Sequence, residues 1–116
     1  AIKVSLAHCQ GHGIGAACDD YQSIGVDLEK VNRKIPKAAA RHFVRAEDRY
    51  ESLLGLWSMK EAAFKAAHPL VKKRPLTLMD ITIADDKFYV EGASGKLLQW
   101  EELCENELML ITLAVV

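Results

Sequence analysis

Apolar residues alternate with polar or small ones near both ends of the chain and recur at three- and four-residue steps in its middle, a pattern that predicts strands flanking a helical centre. Ile2 to His8 reads as a strand, Gly11-His12-Gly13-Ile14-Gly15 as a flexible turn, and Ala16 to Cys18 as the start of a second strand. Ile24 to Glu29 alternates cleanly and reads as a third. Pro36 is placed to open a helix running to about Glu51, and Ser52 leads into a helix over Leu53 to Ala67. Pro69 and Pro75 bracket a loop. Leu78 to Ile83, Phe88 to Glu91, Leu97 to Glu101 and Leu108 to Val115 read as strands, with Asp85-Asp86 as a hairpin turn. The Gly-rich piece is too short and wrongly composed for a phosphate loop, and no internal repeat is visible.

Chemistry enters with the third strand. Ile24, Val26 and Leu28 point to one face, and Gly25, Asp27 and Glu29 to the other, so the two carboxylates project together one pleat apart. Like charges so placed repel unless a cation or solvent separates them, and hard oxygen ligands suit Mg²⁺ better than a soft metal. A plain edge strand with a solvated acidic face shows the same pattern.

On the Leu53 to Ala67 helix, Leu53, Leu56, Phe64 and Ala67 share one apolar face. Lys60 falls inside that arc, four residues from both Leu56 and Phe64. There it either snorkels outward or meets an anion, because an unpaired buried ammonium is costly. Trp57, Glu61 and Lys65 form a second row along the margin of the face; an ordinary surface Glu–Lys pair accounts for part of that row equally well.

Half of the 116 residues are apolar, as expected for one domain over residues 1–116 with a modest core. No apolar run is long enough to span a bilayer as a helix, and no basic-then-apolar leader opens the chain. Cys9, Cys18 and Cys104 lack metal-ligand spacing and read as reduced thiols of a cytoplasmic protein. The net charge of −1 hides an asymmetry. Between Lys30 and Tyr50 seven basic side chains stand against two acidic ones, a net of +5, whereas Leu76 to the end carries eight acidic against two basic, a net of −6. The basic stretch follows the acidic strand, where it can meet phosphates and an acidic protein partner. With aromatics at 7% and no Gly/aromatic motif, nucleic acid is not the expected partner.

Two segments together resemble the 4′-phosphopantetheinyl transferase superfamily. Gly25-Val26-Asp27-Leu28-Glu29 is similar to its Gly-hydrophobic-Asp-x-Glu strand, and Trp57-Ser58-Met59-Lys60-Glu61-Ala62 with Lys65 to its Trp/Phe-Ser-x-Lys-Glu-Ala/Ser-x-x-Lys helix. The likeness extends over roughly residues 4 to 90. Val4-Ser5-Leu6-Ala7-His8-Cys9 looks like the Ser-His or Thr-His-Cys segment of the surfactin-type and enterobactin-type members, Arg41 to Glu47 like the family's Phe-x-x-x-Glu helix start, and Lys65-Ala66-Ala67-His68-Pro69 like the Lys-Ala-x-x-Pro exit. The resemblance implies an α+β fold in which an antiparallel sheet packs against a long helix. It also implies transfer of 4′-phosphopantetheine from coenzyme A to a serine hydroxyl of an acyl, peptidyl or aryl carrier protein, with release of adenosine 3′,5′-bisphosphate. Asp27, Glu29 and Glu61 would hold Mg²⁺, with Glu61 also a general base on the carrier serine. Lys65 would stabilise or protonate the leaving phosphate, Lys60 would contact a coenzyme A phosphate, and His8 would bind the nucleotide 3′-phosphate with help from Lys30 or Arg33. A packed strand histidine is the plainer reading of His8.

The chain also departs from the family pattern. Asp27 and Glu61 are 34 positions apart, short of the forty-odd usual there, and Val71-Lys72-Lys73-Arg74-Pro75 replaces a frequent Gly-Lys-Gly segment. Ala1 opens the chain already in a strand-like run, which suggests a piece of a longer polypeptide. A homo-oligomer or part of a larger chain is therefore expected, and a catalytically silent half-domain that binds a carrier protein or supports a larger synthase is the alternative.

Overall fold

In a computed structural model that describes residues 1–72 and 75–116, strands surround one long helix; Lys73 and Arg74 of the expected loop lie outside the described residues. The elements run β1 (Lys3–Cys9), β2 (His12–Cys18), β3 (Ile24–Lys30), α1 (Lys37–Ala40), α2 (Leu53–Ala67), a 3₁₀ turn (Leu78–Asp80), β4 (Thr82–Ala84), β5 (Lys87–Val90), β6 (Ala93–Cys104) and β7 (Glu107–Val115). β1 and β2 form a two-stranded ribbon, and the other strands form an antiparallel sheet in the order β3-β7-β6-β5-β4. The fold is α+β, with the sheet packed against α2.

β3 is an edge strand, yet both of its faces are covered. Val26 and Leu28 pack with Met109, Ile111 and Ala7 beneath the β1–β2 ribbon. The opposite face lies under α2, where Ala62, Ala63, Ala66 and Ala67 are fully buried. These small side chains let the helix backbone approach closely, and Gly25 completes the fit: a Cβ there would stand 2.1 Å from the carbonyl oxygen of Ala62. Ser52 caps α2, its Oγ accepting the N–H of Gly55 at 3.0 Å. The acidic face of β3 is thus buried against the helix rather than solvated.

Four expectations are corrected. The helix from Pro36 to Glu51 contracts to four residues. Phe43 is drawn into the core edge-on to Trp57, with centroids 5.2 Å apart, and the Asp48 carboxylate accepts the N–H groups of Arg45 and Ile83, both at 2.8 Å, which favours a turn over further helix. Leu78 to Ile83 begins with a 3₁₀ turn because Thr77 and Asp80 cap one another; only Thr82 to Ala84 is strand. β2 starts at His12, since Gln10 (φ 43°) and Gly11 (φ 87°) alone make the turn. β6 extends well beyond Leu97–Glu101, to Ala93–Cys104.

The apolar residues of the last two strands are only partly covered by the fold. Leu97, Met109, Leu110, Ile111 and Ala114 are buried, while Leu98 and Leu108 remain exposed. A larger exposed strip lies on the outer face of the ribbon, where Ile2, Val4 and Leu6 are each more than 60% accessible. Among the described residues no helix is long and apolar enough to cross a membrane.

Candidate active site at the seam between β3 and α2

Asp27 sits at the end of a buried chain of hydrogen bonds. Gln99 Nε2 donates to Thr112 Oγ1 at 2.8 Å, the Thr112 and Ser58 hydroxyls are 2.7 Å apart, and Ser58 Oγ donates to Asp27 Oδ2 at 2.8 Å. The sheet register makes this possible by aligning Gln99, Thr112 and Asp27 across three neighbouring strands. Gln99 also donates to Gly55 O at 3.1 Å, tying the chain to the first turn of α2. Thr112 and Gln99 were not singled out from the sequence. Their signal was available only as polar positions on the inner face of strands otherwise apolar there.

Glu29, one pleat further on, has both oxygens engaged. Arg33 Nη1 lies 2.6 Å from Oε1, and Trp57 Nε1 donates to Oε2 at 3.1 Å. The Arg33 guanidinium also lies over the Trp57 ring, 5.4 Å from its centroid.

Lys65 closes the other end of the seam. Its Nζ donates to Val26 O at 2.9 Å and to Leu6 O at 3.0 Å, while the Val26 N–H donates to Ser5 Oγ at 3.1 Å. Both Val26 backbone groups on the free edge of β3 are therefore met by side chains, and Lys65 is held beside the acidic cluster with one N–H uncommitted among the described residues.

Electrostatics mark this cluster as short of positive charge. Burial first, then the neighbouring Glu29 carboxylate, push the Asp27 carboxyl up to about 8, against partial relief from Ser58. Burial also raises Glu61; Lys65 and Arg33 pull it back, and Glu29 adds to the rise. Among the described residues no three His, Cys, Asp or Glu side chains stand ready as a metal site. The donor chemistry nevertheless fits a hard divalent cation, because Asp27, Glu29 and Glu61 bring oxygen ligands whose mutual repulsion such an ion would relieve.

The remaining candidates lie elsewhere. Lys60 is wholly buried on the far side of α2, 2.9 Å from Asp48 Oδ2, and donates to Ile81 O. It meets an anion, as one branch of the sequence reading required, but that anion belongs to the protein, and the expected coenzyme A phosphate contact is withdrawn. Lys30 is paired with Glu107 at 2.7 Å. His8 is exposed on the outer face of β1, opposite Gly13 and two residues beyond the Leu6 carbonyl that receives Lys65. A groove of about 1040 Å³ opens away from the carboxylates, between Tyr50–Ser52, the start of α2 and the Asp85–Asp86 turn. Its lining includes Glu51, Asp85, Asp86 and Glu101 but neither the β3 carboxylates nor the Glu61–Lys65 pair, so the seam is the stronger candidate.

The family model for the 4′-phosphopantetheinyl transferase superfamily matches residues 23–106, a span that contains the whole seam except β1 and Thr112. No curated protein matches the chain.

Proposed function

The chain belongs to the 4′-phosphopantetheinyl transferase superfamily, and on that premise we propose that the β3–α2 seam transfers 4′-phosphopantetheine from coenzyme A to a serine of an acyl or peptidyl carrier protein. One observation carries the reading: two carboxylates of β3 and the Glu61–Lys65 pair of α2 gather in one half-buried seam. Mg²⁺, held by Asp27, Glu29 and Glu61, would draw charge off the pyrophosphate. The serine oxygen forms a bond to the pantetheine-bearing phosphorus, and the bond from that phosphorus to the bridging oxygen breaks, releasing adenosine 3′,5′-bisphosphate. Glu61, whose affinity for a proton is raised by burial, takes the serine proton directly or through water. Lys65 offers its uncommitted N–H to the departing phosphate oxygen. His8 binds the nucleotide 3′-phosphate from the outer face of β1.

This reading treats residues 1–116 as one cytoplasmic domain. The exposed strip of Ile2, Val4 and Leu6 supports burial against a second copy or a further part of a longer chain. Mass spectrometry of apo carrier proteins incubated with the chain, coenzyme A and Mg²⁺ tests the proposal. A mass increase equal to phosphopantetheine on the carrier serine is expected. No increase on any carrier, also with a longer chain or an assembled oligomer, would favour the silent half-domain.

A further inference from the structure

Glu29 presents a conflict. Its carboxylate belongs to the donor set best suited to a divalent cation, yet Arg33 holds one oxygen at 2.6 Å and the Trp57 indole holds the other at 3.1 Å. Two cations do not share one small carboxylate face without strong repulsion. The two claims on Glu29 are compatible if they alternate. Arg33 is built to let go: its side chain is 47% exposed while that of Glu29 is only 6% exposed, and it leaves from the turn just beyond β3 rather than from the core. Moving it to solvent breaks one ion pair and one stacking contact.

We propose that Arg33 is the resident cation of the carboxylate site: in the free protein its guanidinium occupies Glu29, and a divalent metal ion engages Glu29 only as Arg33 leaves, uncovering the face of Trp57. This rests on the metal reading above and adds an exchange to it. Trp57 becomes a built-in reporter, because it touches both partners of the pair that opens.

Calorimetric titration of the full chain with MgCl₂ alone tests this, using Arg33→Met, which keeps an apolar stem over Trp57 while removing the charge. Losing a competing ion pair of ordinary strength should tighten Mg²⁺ binding roughly fivefold. Arg33→Lys should return affinity toward that of the parent protein. Lys34→Met, an equal change of charge at an exposed neighbour, should leave affinity nearly unchanged. In a Trp100→Phe background, Trp57 emission should change along the same Mg²⁺ curve as the heat.

Equal or weaker Mg²⁺ binding in Arg33→Met overturns the exchange. So does a Lys34→Met gain as large as that of Arg33→Met, because a general field would then explain both. Silent Trp57 emission during measurable binding also overturns it. Each of those results leaves the metal site standing. Mg²⁺ binding that is absent from the parent protein, or that persists undiminished in Asp27→Asn, overturns the metal reading itself.

Discussion

Lys60 and Asp48 face each other inside the core, Nζ to Oδ2 at 2.9 Å, with neither side chain exposed. Burial lowers the pKa of Lys60, and the Asp48 hydrogen bond and charge oppose that shift. Asp48 spends its remaining capacity on the N–H groups of Arg45 and Ile83, so the pair joins α2 to the 45–48 turn and to β4. Removing either partner strands a charge. Lys60→Met and Asp48→Asn should each destabilise the fold by about 3–5 kcal/mol, and Lys60→Met combined with Asp48→Leu by less than the sum of the single changes. Urea unfolding of the three variants checks this.

Gly25→Ala tests how closely α2 sits on β3. The added methyl would lie 2.1 Å from Ala62 O and 2.7 Å from Ala66 N, both backbone atoms, so the helix itself has to move. The loss should be about 3 kcal/mol or more, read as a lower melting temperature. A melting temperature like that of the parent would mean that the helix rides higher on the strand.

Asp27 should make the metal-free protein less stable as pH rises. Its carboxyl titrates near 8 when folded against 3.8 ordinarily, so between those values the folded state binds the extra proton and the unfolded state does not. Stability is fully helped by this proton below about pH 4 and falls as pH climbs toward 8; Glu61 contributes with the same sign. Thermal melts in EDTA should show this decline and Asp27→Asn should flatten it. Mg²⁺ should raise the melting temperature most at the alkaline end.

Transfer kinetics separate the proposed roles. Glu61→Gln should cost at least about 100-fold in turnover at saturating Mg²⁺. Lys65→Ala should mainly lower kcat, and His8→Ala should mainly weaken coenzyme A binding, because one acts on developing charge and the other on a ground-state phosphate. Unchanged coenzyme A affinity in His8→Ala removes that histidine from the site.

The basic stretch after β3 is the proposed counterpart of an acidic carrier helix. Arg45 is already spent on Glu47 and the Met79 carbonyl, which leaves Lys37 and Arg41 as its better probes. Reversing both to Glu should raise the carrier KM about fivefold or more and leave coenzyme A affinity nearly intact, with added salt acting the same way. An unchanged carrier KM moves the docking surface elsewhere.

The parts of this site that were legible in the sequence are those written in local periodicity. Alternation placed Asp27 and Glu29 on one face, and four-residue spacing put Trp57, Glu61 and Lys65 in a row; β3 and α2 appear within a residue of their expected limits. Partnerships across the fold were not legible. Asp48 is 12 positions from Lys60, beyond a turn that has no period, and Thr112 and Gln99 reach Asp27 only through strand pairing. The helix expected over 36–51 failed for the same reason, since Phe43 and Asp48 follow distant partners instead of local propensity.

Lys65 laces two sheets together at one atom, its ammonium joining Leu6 of the ribbon to Val26 of the main sheet. An oxyanion bound by the third N–H pulls this nitrogen away from both carbonyls and strains the stitch. If it breaks, occupancy of the seam becomes a mechanical signal, read as faster amide exchange along β1 rather than as any change within α2.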